Sequence, residues 1–94
     1  MTEALDAVDA DTAMEVSWNE VVIDGINTTY NIYRSTSADG EYNKVNLTPV
    51  NVSPHLDSKD LVSGTTYYYK ISVITNGQEG VLSEYYVDGE FFGI

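Results

Sequence analysis

The chain has 94 residues, which suits a single domain, and 43% of them are hydrophobic, which favours a packed globule over a disordered chain. Fifteen acidic and four basic residues give a net charge of −11, which disfavours binding to nucleic acid or to anionic membrane surfaces. The absence of cysteine excludes disulfides and thiolate metal sites, and no apolar run approaches the roughly 20 residues of a membrane-spanning helix.

Residues 1–10, MTEALDAVDA, are predicted to form an acidic leader or linker. This segment lacks the basic and apolar regions of a signal peptide, so if the natural protein is secreted we expect the chain to be an excised piece with an added Met1. The carboxylates of Asp6, Asp9 and Asp11 are a candidate calcium site. The segment lacks the glycine and the bidentate glutamate of a calcium loop, and this favours a solvated linker instead.

Alternation of hydrophobic and polar residues predicts strands along most of the remaining chain. The stretch AMEVSWNEV, residues 13–21, alternates cleanly. After a turn at Gly25, a strand follows in which Tyr30 and Ile32 share one face. The Asp-Gly pair at residues 39–40 predicts a hairpin that leads into a short strand at residues 42–45.

The second half of the chain is also predicted to be β-structure. Pro49 and Pro54 interrupt residues 46–60, so this segment is predicted to be loop and edge strand. The longest strand is predicted at residues 66–75, and the glycine-rich stretch TNGQEG is a hairpin loop before a last strand at 81–87. No helical period persists, and six or seven short strands separated by turns predict an all-β antiparallel sandwich.

Four segments carry a resemblance to the fibronectin type III domain, particularly the version appended to bacterial extracellular enzymes and surface proteins. They are VSW, YNIYRSTSADGEYNKV, the turn with Leu61, Gly64 and Tyr67, and GVLSE, and together they span residues 12–87. Ser63 stands where the family often has proline, which loosens the turn. The resemblance implies an immunoglobulin-like antiparallel β-sandwich of about seven strands.

The predicted division of the chain follows from this resemblance. Residues 11–88 are the fibronectin type III-like domain, residues 1–10 are the leader, and residues 89–94 are a C-terminal tail or the junction to a following domain. Phe91 and Phe92 in the tail are expected to be exposed unless they pack back on the domain or contact a neighbouring one.

Three consecutive tyrosines begin the longest strand, where neighbouring side chains point to opposite faces. Tyr67 resembles the family's tyrosine corner, a buried ring whose hydroxyl bonds to the backbone upstream. The same parity places Tyr69 in the core and Tyr68, Lys70, Ser72 and Ile74 on the outward face. The predicted structural core consists of Trp18, Tyr30, Ile32, Leu61, Tyr67, Tyr69, Ile71 and Val73.

The outward side of the same sheet is the candidate binding face. In a fibronectin-like sandwich the third and sixth strands are neighbours, so Tyr33 and Tyr68 are expected to meet there, flanked by Lys70. Tyr86, or its neighbour Tyr85, joins them from the last strand. Such rings suit carbohydrate stacking or protein contact, and the alternative is cross-strand pairing that only stabilises the sheet.

No combination of residues indicates an enzyme. His55 is the only histidine, and although Asp57 is near it in sequence, no Gly-x-Ser-x-Gly elbow supplies a nucleophile. Nothing marks a pair of carboxylates as acid and base, and no cofactor is predicted. The sequons at Asn27, Asn46 and Asn51 are interpreted as coincidence in a chain rich in asparagine and threonine.

Two functions remain for a non-catalytic accessory module. The first is a structural spacer in a larger extracellular or cell-surface protein, such as a polysaccharide-degrading enzyme, with neighbouring domains of the same chain as its partners. The second is recognition of polysaccharide or protein through the outward tyrosines. In isolation we expect a monomer that neither inserts into membranes nor binds nucleic acid.

Overall fold

The computed structural model describes residues 5–9, 13–19, 25, 28–51, 53–83 and 87–91. Within these residues the regular structure is entirely β. The strands are β1 (Leu5–Asp9), β2 (Met14–Trp18), β3 (Thr28–Ser35), β4 (Asn43–Lys44), β5 (His55–Asp57), β6 (Thr65–Thr75), β7 (Gln78–Leu82) and β8 (Val87–Phe91).

The strands form two antiparallel sheets that pack as a sandwich. One sheet has the order β1-β2-β5, and the other has the order β4-β3-β6-β7 with β8 also paired to β6. This arrangement confirms the predicted fold class. The described strands number eight rather than seven because β7 and β8 pair in succession along the same side of β6.

The core lies between the two sheets and is rich in aromatic side chains. Trp18 is only 5% exposed, and its ring centroid lies 5.2 Å from that of Tyr30. The Trp18 backbone N–H donates to Ser53 Oγ at 3.0 Å, which ties the end of β2 to the loop before β5. The buried cluster consists of Ala7, Met14, Val16, Trp18, Tyr30, Ile32, Tyr67, Tyr69, Ile71 and Phe91, with Leu61 and Val73 partly buried against it.

The first strand lies in the segment that the sequence pattern assigns to a leader. Leu5–Asp9 pairs along its whole length with β2, and Ala7 is 7% exposed. The segment LDAVD combines one small inward residue with acidic neighbours, so its alternation is too weak to indicate a strand. The structured part of the chain therefore includes residues 5–9 of the predicted leader.

The last strand crosses the predicted start of the tail. β8 pairs with β6 as far as Phe91, whose side chain is 4% exposed in the core, so this phenylalanine packs back on the domain. Gly89 permits close contact with β1, because a Cβ there would lie 2.7 Å from the Ala7 carbonyl oxygen. Phe92 lies outside the described residues.

The hairpin between β6 and β7 is tighter than the predicted six-residue loop. Asn76 and Gly77 both have positive φ, and Thr75 pairs directly with Gln78. An Asn-Gly pair with two positive φ values is typical of a two-residue hairpin turn, because its twist matches that of the strands. The turn places Glu79 directly opposite Ile74.

Burial alternates along β6 only as far as Ile71. Ser72 and Ile74 are predicted to face outward, and Ser72 donates to Glu79 beside Tyr33 of that face, but the two residues are only 1% and 8% exposed. β7 pairs with β6 along its edge at this end of the strand and brings the Glu79 side chain against Ser72. The β6 side chains that remain accessible on the outward face are therefore those nearer the start of the strand, such as Tyr68 and Lys70.

Candidate functional site

The outward face of the larger sheet brings several tyrosines and lysines together. Tyr33 on β3 is directly opposite Lys44 on one side and Lys70 on the other, and Tyr68 is two pairs further along, opposite Ser35. Tyr33, Tyr68 and Lys70 are half-buried, and Lys44 is exposed. We name this surface the tyrosine face, and its members are Tyr33, Tyr42, Lys44, Tyr68, Lys70 and Glu79.

Two members of the tyrosine face follow only from the structure. The Lys70 Nζ lies 4.9 Å from the centroid of the Tyr42 ring, which is cation–π contact. The Tyr42 hydroxyl donates to the Ala38 carbonyl at 2.9 Å, and this bond holds the ring beside β4. The short strand around Tyr42 is expected from sequence, but the side on which its ring lies depends on the register of the hairpin with β3.

Glu79 is the second member that the sequence does not indicate. Three side chains donate to its Oε2 atom: Asn31 Nδ2 at 3.0 Å, Tyr33 Oη at 2.5 Å and Ser72 Oγ. The bonds from Ser72, Tyr33 and Asn31 lower the pKa of Glu79 to about 2, so this carboxylate is ionised at neutral pH. Among the described residues, no side chain donates to its other oxygen, Oε1.

The contact with Glu79 also affects Tyr33. Burial of the ring, followed by the hydrogen bond to the Glu79 carboxylate, raises the pKa of Tyr33 above its usual value of 10.0. The hydroxyl therefore keeps its proton at neutral pH and remains a donor to Glu79. This bond fixes the Tyr33 ring against the sheet instead of leaving it free to rotate outward.

Two buried asparagines, Asn31 and Asn46, are hydrogen-bonded to each other, and Asn31 connects this pair to Glu79. Asn46 is 5% exposed, and its Oδ1 accepts from the Ile32 backbone N–H at 2.8 Å. Its Nδ2 donates to Asn31 Oδ1 at 2.9 Å and to the Thr48 carbonyl at 2.8 Å. Asn46 is therefore a structural amide that holds the loop after β4 against β3, which is a reason for the asparagine of this sequon other than glycosylation.

A second polar cluster lies on the inner side of β3, next to Tyr33 in sequence. Arg34 Nη1 forms a 2.8 Å ion pair with Asp57 Oδ2, and Tyr69 Oη donates to the same oxygen at 2.7 Å. Burial, followed by the bond to the Asp57 carboxylate, raises the pKa of Tyr69, so its hydroxyl stays protonated. Because Asp57 belongs to β5, this cluster joins the two sheets.

The tyrosine that resembles the family's corner residue makes the contact that the resemblance implies. The Tyr67 hydroxyl accepts a 2.7 Å hydrogen bond from the Val62 backbone N–H, five residues upstream, and the ring is 3% exposed. The Arg34 guanidinium carbon lies 4.9 Å from the centroid of the same ring. Gly64, with φ of 84°, allows the tight turn that leads into β6.

The remaining candidates do not assemble into a site. His55 is half-buried in β5, and Asp57 nearby is engaged by Arg34 and Tyr69. Asp11 and Tyr86 lie outside the described residues. In the part of the chain that the structure describes, no three His, Asp or Glu side chains are placed to hold a metal ion, and no helix is long and apolar enough to cross a membrane.

Two clefts lie at the edge of the sandwich formed by β4 and β5. They have volumes of about 410 and 300 Å³, and Val45 and Lys59 line both of them. The larger cleft contains Arg34 and Glu41, but the Arg34 guanidinium is already bonded to Asp57 and to the Lys59 carbonyl. The tyrosine face therefore presents the more accessible set of aromatic and charged groups.

Comparison with known proteins identifies the fold through structure. No protein-family model matches the sequence, and no curated protein does. A crystal structure of a Fn3-like protein from Clostridium thermocellum is similar over 99% of this chain and 93% of its own, with a TM-score of 0.75 and 26% identity. The FN1–FN3 domains of chicken CNTN1 match 98% of this chain with a TM-score of 0.70 and 13% identity, and this match spans 33% of that protein chain.

Both similarities show a fibronectin type III fold. The Clostridium match extends over nearly the whole of both chains, so it covers all eight strands described above, including β1 and β8. The match to the chicken protein shows that one such fold corresponds to about a third of a fragment with several consecutive domains. The resemblance inferred from the sequence motifs is thereby confirmed at the level of fold.

Proposed function

We propose that this chain is a non-catalytic accessory module that acts as a spacer within a larger extracellular or surface protein, such as a polysaccharide-degrading enzyme. The observation that carries this proposal is the path of the chain. β1 begins opposite Trp18, and Trp18 packs on Tyr30 of the other sheet. Tyr30 pairs with Val73, so the start of β1 lies near the end of β6. β8 ends opposite Thr65, at the start of β6.

The two ends of the described path therefore lie at opposite ends of the sandwich. Thr65 and Val73 are eight positions apart on one strand, which corresponds to about 26 Å at the rise of a β-strand. Domains joined before β1 and after β8 would be held apart by this length. The match to the FN1–FN3 fragment is consistent with a fold that occurs in series along a chain.

A spacer must also resist bending, and two contacts between the sheets and one within the larger sheet support this property. The Arg34–Asp57 ion pair joins β3 to β5 on one side of the sandwich. On the other side, β8 packs against β1 at Gly89. The Gly64 backbone N–H donates to the Phe91 carbonyl at 2.5 Å, which fixes the end of β8 to the turn before β6.

The pKa values and hydrogen bonds of Glu79, Tyr69 and Asp57 favour a structural role for these groups over a catalytic one. A general acid or base works best with a pKa near the working pH, whereas the pKa of Glu79 is about 2 and the pKa of Tyr69 is raised. Asp57 is 1% exposed and accepts from Arg34, Tyr69 and the Lys59 backbone N–H, so its lone pairs are used within the fold.

The spacer proposal is tested by placing the chain between two folded fluorescent reporter domains and measuring the distribution of distances between them by energy transfer. We expect one narrow distribution that is longer than the distribution for a flexible Gly/Ser linker of equal residue number, whose mean span grows only as the square root of length. A distribution as broad as that of the linker would contradict the proposal. Incubation of the isolated chain with a glycan panel should release no products.

Recognition through the tyrosine face is the second candidate function. The observation that favours it is the cross-strand row Lys44–Tyr33–Lys70, which gathers half of the chain's four basic residues around one ring. Spacing and recognition do not exclude each other, because the contacts between the sheets and the tyrosine face use different side chains.

A further inference from the structure

We infer that Glu79 is the residue by which the tyrosine face recognises a ligand, and that the ligand is a neutral, polyhydroxylated glycan. The inference rests on recognition as the second candidate function and adds to it both a substrate class and a specificity-determining residue. Its starting point is the unequal use of the two oxygens of the Glu79 carboxylate.

All three hydrogen bonds that described residues donate to Glu79 end on Oε2. Asn31, Tyr33 and Ser72 together hold this oxygen from the side of the sheet, and Asn31 and Ser72 are themselves 4% and 1% exposed. Glu79 itself is exposed, and none of the described residues donates to Oε1. The side chain is therefore a carboxylate that is fixed in position, ionised, and able to accept further hydrogen bonds from outside the protein.

The fixed position matters because binding normally costs the entropy of ordering a long, exposed glutamate side chain. Here the three donors have already ordered it, so a ligand does not meet that cost again. Hydrogen bonds to a charged acceptor are stronger than those between neutral groups. Sugar hydroxyls are donors of the kind that a carboxylate oxygen binds.

The rest of the tyrosine face supplies the other features of a sugar site. Tyr33 lies beside the carboxylate, and Tyr42 and Tyr68 extend the aromatic surface along the sheet. Aromatic rings contact the apolar faces of sugar rings, and Lys44 and Lys70 supply donors for hydroxyl and ring oxygens. The outward side of a sheet is open, which suits an extended polymer better than a small molecule in an enclosed pocket.

Charge decides between neutral and acidic glycans. The net charge of −11 repels polyanions over several ångströms at physiological ionic strength, and the ionised Glu79 lies within the face itself. The two lysines beside Tyr33 are already engaged, Lys44 by the charge of Glu79 and Lys70 by the Tyr42 ring. An acidic sugar placed on Tyr33 would therefore set its own carboxylate against that of Glu79. A neutral sugar meets no such repulsion and can donate to Oε1.

The experiment is a titration of the ¹⁵N-labelled chain with cellohexaose, xylohexaose and, as the acidic comparison, hexagalacturonate, followed by amide shifts. We expect one of the neutral probes to saturate with a Kd on the order of 1 mM, with the shifted amides in β3, β6 and β7 around Tyr33. Glu79→Gln should weaken that binding at least about tenfold, because the amide replaces a charged acceptor by a neutral one.

Two further variants make the result specific. Glu90→Gln is the matched control, because Glu90 is exposed on the outward side of β8, opposite Thr66, and far from Glu79 along β6. It should leave the Kd unchanged, whereas Tyr33→Ala should abolish saturable binding. A thermal melt of each variant shows that the fold is kept.

Three results would overturn the inference: no saturation by any neutral probe up to about 20 mM, equal affinities of the wild type and Glu79→Gln, or tighter binding of hexagalacturonate than of both neutral probes. None of these results bears on the distance measurement that tests the spacer, so the two proposals fail separately.

Discussion

Replacing Arg34 by methionine should destabilise the chain by about 3 kcal/mol, because it removes the cationic partner of a buried carboxylate. Asp57 is 1% exposed, and among the described residues the side chains that donate to its Oδ2 atom are those of Arg34 and Tyr69. Removal of one member of a buried ion pair typically costs about 3–5 kcal/mol. The lower end of that range applies, since Asp57 keeps the Tyr69 hydroxyl and the Lys59 backbone N–H, and the Arg34 side chain retains 15% exposure.

The origin of the loss is separable from general damage to the core. Arg34→Met keeps the aliphatic stem that packs over Tyr67, so most of the cost should come from the charge left on Asp57. In the double variant Arg34→Met, Asp57→Asn that charge is gone, and an amide oxygen remains to accept from Tyr69. We expect the double variant to be more stable than the single Arg34→Met variant, with a coupling energy of about 1–2 kcal/mol.

The assay is urea denaturation followed by Trp18 fluorescence, with Lys44→Met as the control for removal of an exposed cation. The control should change the free energy of unfolding by no more than about 0.5 kcal/mol. If Arg34→Met cost as little as Lys44→Met, or if the double variant showed no coupling, the Arg34–Asp57 contact would not be a significant link between the sheets.

Three other perturbations have defined outcomes. Trp18→Ala should cost about 3–5 kcal/mol by removing the largest ring of the core, and the wild-type fluorescence maximum should be that of a buried indole. Tyr67→Phe should lower the free energy of unfolding by about 0.5–1 kcal/mol in urea denaturation. This is the lower end for a lost hydrogen bond, because Val62 is 61% exposed and its N–H can reach water. An unchanged denaturation midpoint would contradict the corner contact. Glu79 contributes stability that is present above its unfolded pKa of 4.5 and is lost as pH falls through its folded pKa of about 2. The free energy of unfolding should therefore decline less steeply over this pH interval in Glu79→Gln than in wild type. Equal slopes would show that the three hydrogen bonds do not favour the carboxylate.

The sequence predicts the fold well where alternation and turn residues agree. The third and longest strands are expected at nearly their observed positions because bulky residues such as Tyr30 and Ile71 recur every second position. The first strand is different: its buried position is held by Ala7, a small residue that gives little hydrophobic signal. β8 contains Asp88 and Gly89, which are poor strand formers, and it is a strand because it pairs with β6 and contacts β1.

The candidate site is predictable only in part. The alternation of side chains along one strand can be read from the sequence, whereas the register between neighbouring strands cannot. Parity along single strands places Tyr33, Tyr68 and Lys70 on one side of the sheet. The contribution of Glu79 depends on the two-residue turn at Asn76, which sets the register of β7 and brings a carboxylate over Ser72. No local pattern states which of fifteen acidic residues is held by three donors.

The sequence indicates that Arg34 faces inward, but it does not indicate which residue pairs with its charge. It follows Tyr30 and Ile32 at strand spacing, so parity alone assigns it to the inner face. A charge on the inner face requires a partner, and that partner, Asp57, is 23 residues away on the other sheet. The same aspartate is near His55 in sequence, which suggests a catalytic pair, whereas the packed sheets pair it with Arg34 and Tyr69.

The two polar clusters occupy opposite sides of β3 at consecutive residues, and this arrangement links the two proposed roles. Arg34 points inward and ties β3 to β5 through Asp57, while Tyr33 points outward and holds Glu79 on β7. We expect a strand held on both sides to have little freedom to twist, so that loss of the inner ion pair would also loosen the Tyr33 ring although the two clusters share no atoms. Rigidity between the sheets would serve the proposed spacer directly and would preorganise the outward face for the proposed ligand, because an ordered face loses less entropy on binding than a mobile one.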